Sequence, residues 1–226
     1  MKYQVQIFKW LPALLSIIAG SLDVISFLGL NGLFVSHITG NLVILAVRIV
    51  HAGEAPVALV LAVPVFILVL ILARLLMYRL ELEKLSTLKP LLWLQFLFIL
   101  GYCLLTFSHG TTINANSIPA ITAGMFGVAS MAIQNALVQL SLKSSPTTAV
   151  MTTNITRFFL DLGEYYLGTD PEAIKKARIR AWYTWPPIGG FILGCALGAF
   201  FENIFGLRAL VLPAILALSA IFIVCI

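Results

Sequence analysis

Charge is scarce in this chain. Asp, Glu, Lys and Arg make up 10% of its 226 residues, against about 25% in a soluble globular protein. With 61% hydrophobic residues and a mean hydropathy of +1.04, that scarcity excludes an ordinary soluble domain. Cysteine is nearly absent too. Cys103, Cys195 and Cys225 stand singly within apolar runs. Without a C-x-x-C pair or His-rich spacing there is no basis for a metal or redox site, and all three read as small core residues. Enzymatic signatures are missing as well: no G-x-S-x-G, no H-E-x-x-H, no P-loop and no dinucleotide fingerprint. Ser36 and His37 are adjacent, but neighbours in sequence do not make a nucleophile–base pair. The chain reads as non-enzymatic, with no cofactor and no metal.

What is present is a series of long apolar runs, roughly 11–31, 57–79, 89–107, 118–142, 184–202 and 207–226. Each is near the 20 or so residues needed to cross a hydrocarbon core of about 30 Å. The expectation is an all-α, polytopic membrane helix bundle. The start, with Lys2 and Lys9 before an apolar stretch, resembles a signal peptide, but the many later spans favour an uncleaved first helix. The net charge of +5 does not point to nucleic acid. The basic residues cluster in short loops at the edges of apolar runs, where Lys and Arg set orientation and meet anionic lipid.

Two polar notches interrupt this pattern. Ile38-Thr39-Gly40-Asn41-Leu42 returns, near enough, as Met151-Thr152-Thr153-Asn154-Ile155, and Ala19-Gly20 upstream is echoed by Ala123-Gly124. The echo suggests an internal duplication, with 1–109 and 110–226 as the two membrane repeats. Paired interruptions in two repeats are the best sequence pointer to a binding site in a transporter. The segments carrying the notches, 34–50 and 146–167, are poorer spanning candidates, because the second holds Arg157, Asp161 and Glu164, each costly at the bilayer centre.

Either all eight segments cross, or six cross and two are broken or re-entrant. Loop charge favours six. The basic loops 79–89 and 169–183 then share one face with Lys2, Lys9 and Lys143, and 108–117, which has no Lys or Arg, lies on the other. Arg208 alone falls on the wrong side. Three crossings per half invert the second repeat relative to the first, so the notches enter from opposite faces and approach each other near the midplane.

Thr39, Gly40 and Asn41, with Thr152, Thr153 and Asn154, offer side-chain hydrogen bonds and an unwound turn. Irregular backbone survives at membrane depth only inside protein or beside water. Asp23, about 18 Å along the first span, reads as a cation or proton site or as the partner of a buried cation, Arg157 or Arg48. Arg157 and Asp161 share a helical face at i,i+4 and suit a self-contained ion pair; Arg157 is also placed to hold an anion. Gln134 and Asn135 are an amide pair able to line a polar path. Gly190, Gly194 and Gly198 recur every four residues, a close-packing face for another helix or a homodimer seam. Of the three histidines only His37 adjoins a notch, where a proton relay is conceivable.

The run AGSLDVISFLGLNGLFVSHITGNLV, followed later by SMAIQNALVQ and PTTAVMTTNITR, resembles the YoaK-type family of bacterial multi-pass inner-membrane proteins that carry a domain of unknown function. The resemblance covers nearly the whole chain and is most specific from Asp23 to Asn41. It implies that the acidic residue of the first helix, the Thr-Gly-Asn motif, the Gln-Asn pair and a later Thr-rich segment fall on Asp23, Thr39-Gly40-Asn41, Gln134-Asn135 and 146–156. The later segment reads Thr152-Thr153-Asn154, where the family more often has Thr-Gly-Thr. The resemblance implies a bacterial cytoplasmic membrane address, and no substrate. Taken together, the expected function is that of a small permease for a polar or anionic solute, with both termini cytoplasmic and Asp23 as a possible coupling group. A passive channel and a non-transporting scaffold are the alternatives.

Overall fold

A computed structural model describes residues 2–53, 55–108, 114–142 and 145–225, with side chains described from Trp10 onward apart from residues 52 and 225. Lys143 and residues 109–113, which include His109 and the expected repeat boundary, lie outside the described residues. The described residues form eight α-helices and no strand: α1 (Lys2–Gly29), α2 (Ile38–Ala52), α3 (Val57–Leu82), α4 (Leu88–Ser108), α5 (Ile118–Ser141), α6 (Met151–Leu167), α7 (Pro171–Phe205) and α8 (Val211–Cys225). A 3-10 turn, Gly206–Leu210, joins the last two. Five apolar helical stretches are long enough to cross a membrane, the last of them the 54-residue stretch Pro171–Val224 that holds both α7 and α8. The chain is a membrane-type helical bundle.

Three helices are short, α2 and α8 with 15 residues each and α6 with 17, and α2 and α6 carry the notches. Each of these two follows a long helix and an irregular segment that turns back along it. Asp23 lies six residues before the end of α1, about 9 Å by helical rise, yet its carboxylate meets the backbone of Val35 and Ser36. The segment after α1 has therefore descended beside α1 before α2 starts. Arg48, near the other end of α2, reaches Asn31, so α2 climbs back to the level where α1 ended. In the second half Gln134, seven residues before the end of α5, holds Thr148 in the same way.

The long helices pack in a reciprocal pattern. α1 packs on α7 and α3 on α5; α1 on α8 and α5 on α4; α2 on α3 and α6 on α7. The set is unchanged when α1–α4 are exchanged for α5–α8. α1 and α5 run antiparallel, with Gln134 beside Leu15 and Gly124 beside Leu30. α1 and α7 run parallel and very close. A Cβ on Gly190, Gly194 or Gly198 would come within 2.5, 2.3 or 2.9 Å of the backbone oxygens of Ala13, Ile17 and Ser21. The close-packing face expected of these glycines receives α1 of the same chain. Gly20 approaches Phe191 and Cys195 on α7, whereas Gly124 faces Leu33, so the Ala-Gly echo does not mark equivalent contacts.

Candidate functional site

The two notches meet. A cavity of about 580 Å³ lies between α3 and α5 at the starts of α2 and α6. His37 and Thr39 border it from one notch, Thr152 from the other, Asn135 from α5 and Arg74 from α3. Its lining contains no carboxylate. Both short helices open onto it without a side-chain cap: the capping positions His37 and Val150 take similar backbone angles, and neither helix has a side chain accepting from its first turn. Uncapped first-turn N–H groups carry partial positive charge that suits a polar or anionic solute.

Behind this surface stands a layer of polar side chains occupied with holding the notches. Asn41, fully buried, donates to the Phe34 carbonyl at 2.7 Å and accepts from the Phe34 N–H at 2.8 Å. Asn154, also fully buried, donates to the Thr147 carbonyl at 2.6 Å and accepts from the Thr147 hydroxyl at 3.2 Å. Gln134 is fully buried. It accepts from Gln95 at 2.7 Å and donates at 2.9 Å to both the Leu15 carbonyl and the Thr148 hydroxyl. One amide thereby ties α1, α4, α5 and the second notch. Each hydrogen-bonds structure that would otherwise bury unpaired polar groups.

Asp23 belongs to this layer and also reaches the cavity indirectly. It is 2% exposed and accepts from the N–H groups of Val35 at 2.9 Å and Ser36 at 2.6 Å, and from the Ser36 hydroxyl. Its other close partner is the Nδ1 of His37. The His37 ring stands edge-on to Phe34 and Phe191, at centroid distances of 5.9 and 5.5 Å. A carboxylate accepts only, so Nδ1 carries a proton and Nε2 is the ring nitrogen remote from Asp23. The order of contacts is not that of a nucleophilic triad. There the hydroxyl faces the imidazole nitrogen remote from the carboxylate; here the Ser36 hydroxyl donates to Asp23 itself.

Neither expected cation partners Asp23. Arg48 bonds Asn31, and Arg157 lies with Asn154 on a separate cavity of about 950 Å³ between α6 and α7. The expected Arg157–Asp161 pair does not form either. Asp161, 7% exposed, is held by Arg180 of α7 through Nε at 2.9 Å and a second guanidinium nitrogen at 2.5 Å. An i,i+4 pair on an exposed face contributes only about 0.5 kcal/mol, and a facing helix offering two donors outcompetes it. Of the eight residues expected at the site, Thr39, Asn135 and Thr152 line the shared cavity. Asp23, Asn41, Gln134 and Asn154 hold its walls, and Arg157 faces elsewhere. His37 and Arg74 join the lining. His37's place beside the notch was a sequence signal, whereas Arg74 sits in a helix apolar on nearly every side and gave none.

Residues 11–224 match the model of a family described as a protein of unknown function, DUF1275, and the chain belongs to that family. No curated protein and no solved structure matches the chain.

Proposed function

We propose that this DUF1275 protein is a small permease, a secondary transporter that carries a small polar or anionic solute through the cavity shared by the two notches. In this reading α1, α3, α4, α5, α7 and α8 cross the membrane and α2 and α6 re-enter it. The halves 1–109 and 110–226 are inverted repeats, and both termini are cytoplasmic. The likeness to the YoaK-type proteins supports placement in a bacterial cytoplasmic membrane. The antiparallel course of α1 and α5 and the reciprocal packing of the halves support inversion, since parallel repeats would run these helices the same way.

The observation that carries the proposal is the joint lining of one cavity by Thr39 and Thr152. Two broken segments that merely filled space would bury their hydroxyls against each other. Here the helix starts are uncapped, the lining itself holds no carboxylate although its one cation, Arg74, pairs with Glu81 at 3.3 Å, and the polar layer behind is saturated. His37, anchored by Asp23, is the group placed to exchange a proton with the cavity, which makes Asp23 a positioning residue.

The test is uptake into proteoliposomes of a panel of radiolabelled small anions (phosphate, sulfate, acetate, pyruvate) with and without an inward proton gradient. Saturable uptake of one of them, reduced at least tenfold by Thr39→Val and Thr152→Val, supports the carrier. Non-saturable conductance assigns the protein to channels. No flux, with Thr39→Cys and Thr152→Cys both inert to water-soluble thiol reagents, assigns it to scaffolds.

A further inference from the structure

The hairpin of α6 and α7 has two faces of opposite character. One bears the cavity that holds Arg157 and the Asp161–Arg180 pair, together with Glu164 and Asp170. The other is a groove of about 900 Å³ whose lining contains cations and aromatic rings but no carboxylate. On α7 it takes Lys175, Arg178, Trp182 and Trp185, which are spaced three to four residues apart on one helical stripe. On α6 it takes Phe158, Leu162 and Tyr165, a second such stripe facing the first.

The hairpin is antiparallel, so the stripes run in register. Lys175 and Tyr165 lie at the end nearest the α6–α7 connection, and Phe158 lies with Trp182 and Trp185 at the deeper end. Polarity therefore falls along the groove from the ammonium, guanidinium and phenol of Lys175, Arg178 and Tyr165 to the indole and phenyl rings of Trp182, Trp185 and Phe158. Lys175 and Arg178 are exposed, and neither forms an ion pair among the described residues. Glu172, one turn before Lys175, does not border the groove.

We infer that this groove is a binding site for an anionic phospholipid of the surrounding bilayer, with its phosphate at Lys175 and Arg178 and an acyl chain along Phe158, Leu162 and Trp182. The occupant must be anionic at one end and apolar over the rest of its length. A free phosphate satisfies only the cations, and a neutral lipid only the rings. Tyr165, at the cation end, sits at headgroup level, as interfacial rings do, and the rings of Trp182 and Trp185 lie below it along the upper part of the acyl chain. Basic pockets between membrane helices on the cytoplasmic side hold anionic headgroups. The site depends on the bundle lying in a bilayer and not on anything being transported.

The probe is phosphatidylglycerol against phosphatidylcholine, titrated onto delipidated protein and read by native mass spectrometry. Retention of phosphatidylglycerol in preference to phosphatidylcholine is expected. It should weaken about fivefold for each cation lost in Lys175→Gln and Arg178→Gln, and stay unchanged in Lys89→Gln, which removes a cation outside the groove. Phe158→Ala with Leu162→Ala should weaken retention of the full-length lipid while leaving the binding of glycerol phosphate unchanged. Equal retention of the two lipids overturns the site. So does undiminished retention in the Lys175→Gln/Arg178→Gln protein, and so does glycerol phosphate binding as tightly as the lipid.

Discussion

Asn41 and Asn154 make the same excursion in two places: each side-chain amide reaches seven residues back, to Phe34 and to Thr147, and fixes the chain just before its short helix begins. The two contacts are not equal in what they satisfy. Asn41 serves both polar groups of the Phe34 backbone. Asn154 serves one backbone carbonyl and a hydroxyl that also donates to Val150. Leaving a buried polar group unpaired costs about 1–3 kcal/mol. Asn41→Ala should therefore destabilise the protein more than Asn154→Ala, by roughly one such group. Thermal unfolding in detergent, followed by tryptophan fluorescence, measures the order. Equal losses would show that Phe34 finds another partner.

Composition and run length made the bundle legible, because crossing a bilayer forces both the apolarity and the length of a helix. The notches mark helix starts and not the unwound turns expected of them: α2 begins at Ile38 and α6 at Met151, so Thr39-Gly40-Asn41 and Thr152-Thr153-Asn154 lie in first turns and the irregular backbone comes just before them. The glycine stripe announced a close helix contact through its spacing of four. Partner identity was hidden, because it depends on how far a chain turns back. Nothing in the residues around Asp23 says that Val35 and Ser36 return to its level and supply amides where a cation was expected. Nor does the helical face shared by Arg157 and Asp161 reveal that Arg180 faces it from the next helix. Sequence spacing gives neighbours along a helix; the neighbours that decided the site come across helices.

Asp23 offers a graded test of its place behind His37. Asp23→Asn keeps an oxygen for the Val35 and Ser36 amides and removes the charge that holds the imidazole. Asp23→Ala leaves both buried N–H groups without an acceptor, at about 1–3 kcal/mol each. The alanine protein should unfold several degrees below the asparagine protein. The asparagine protein should retain its fold but lose proton-driven uptake while still exchanging solute across the membrane. Retained coupling in Asp23→Asn would remove the Asp23–His37 pair from the mechanism.

The glycines of α6 and α7 divide by what a methyl group would meet. At Gly194 it would lie 2.3 Å from the Ile17 carbonyl oxygen, and at Gly163 on α6 it would meet nothing within 4 Å. Gly194→Ala must push α1 and α7 apart and should lower the melting temperature sharply. Gly163→Ala should raise it, because alanine is favoured over glycine in a helix interior by about 1 kcal/mol. Neither change should alter the oligomeric state measured by light scattering, since the face of Gly190, Gly194 and Gly198 is closed within one chain. A dissociation produced by Gly194→Ala without loss of fold would restore those glycines to an intermolecular contact.

The re-entrant course proposed for α2 and α6 makes a prediction that an eight-crossing chain cannot share. If both short helices return to the side they left, the α3–α4 and α6–α7 connections lie on the same face. If both cross, those connections lie on opposite faces. Ser86 and Thr169 sit in these connections and are suited to single-cysteine labelling with a membrane-impermeant maleimide. The native Cys103 and Cys195 are to be replaced by serine or alanine first, along with Cys225. Both positions should react in inside-out vesicles and be protected in intact spheroplasts, matching the basic residues beside them, Lys84 within and Lys89 just after one connection, and Lys175 and Lys176 after the other. Lysine at a cytoplasmic edge opposes translocation, and a crossing α6 would carry Arg157 and Glu164 to membrane depth, where a group such as Arg157 costs about 2.5–3.5 kcal/mol at a helix centre. Reaction of the two cysteines from opposite faces would establish eight crossings and make the repeats parallel.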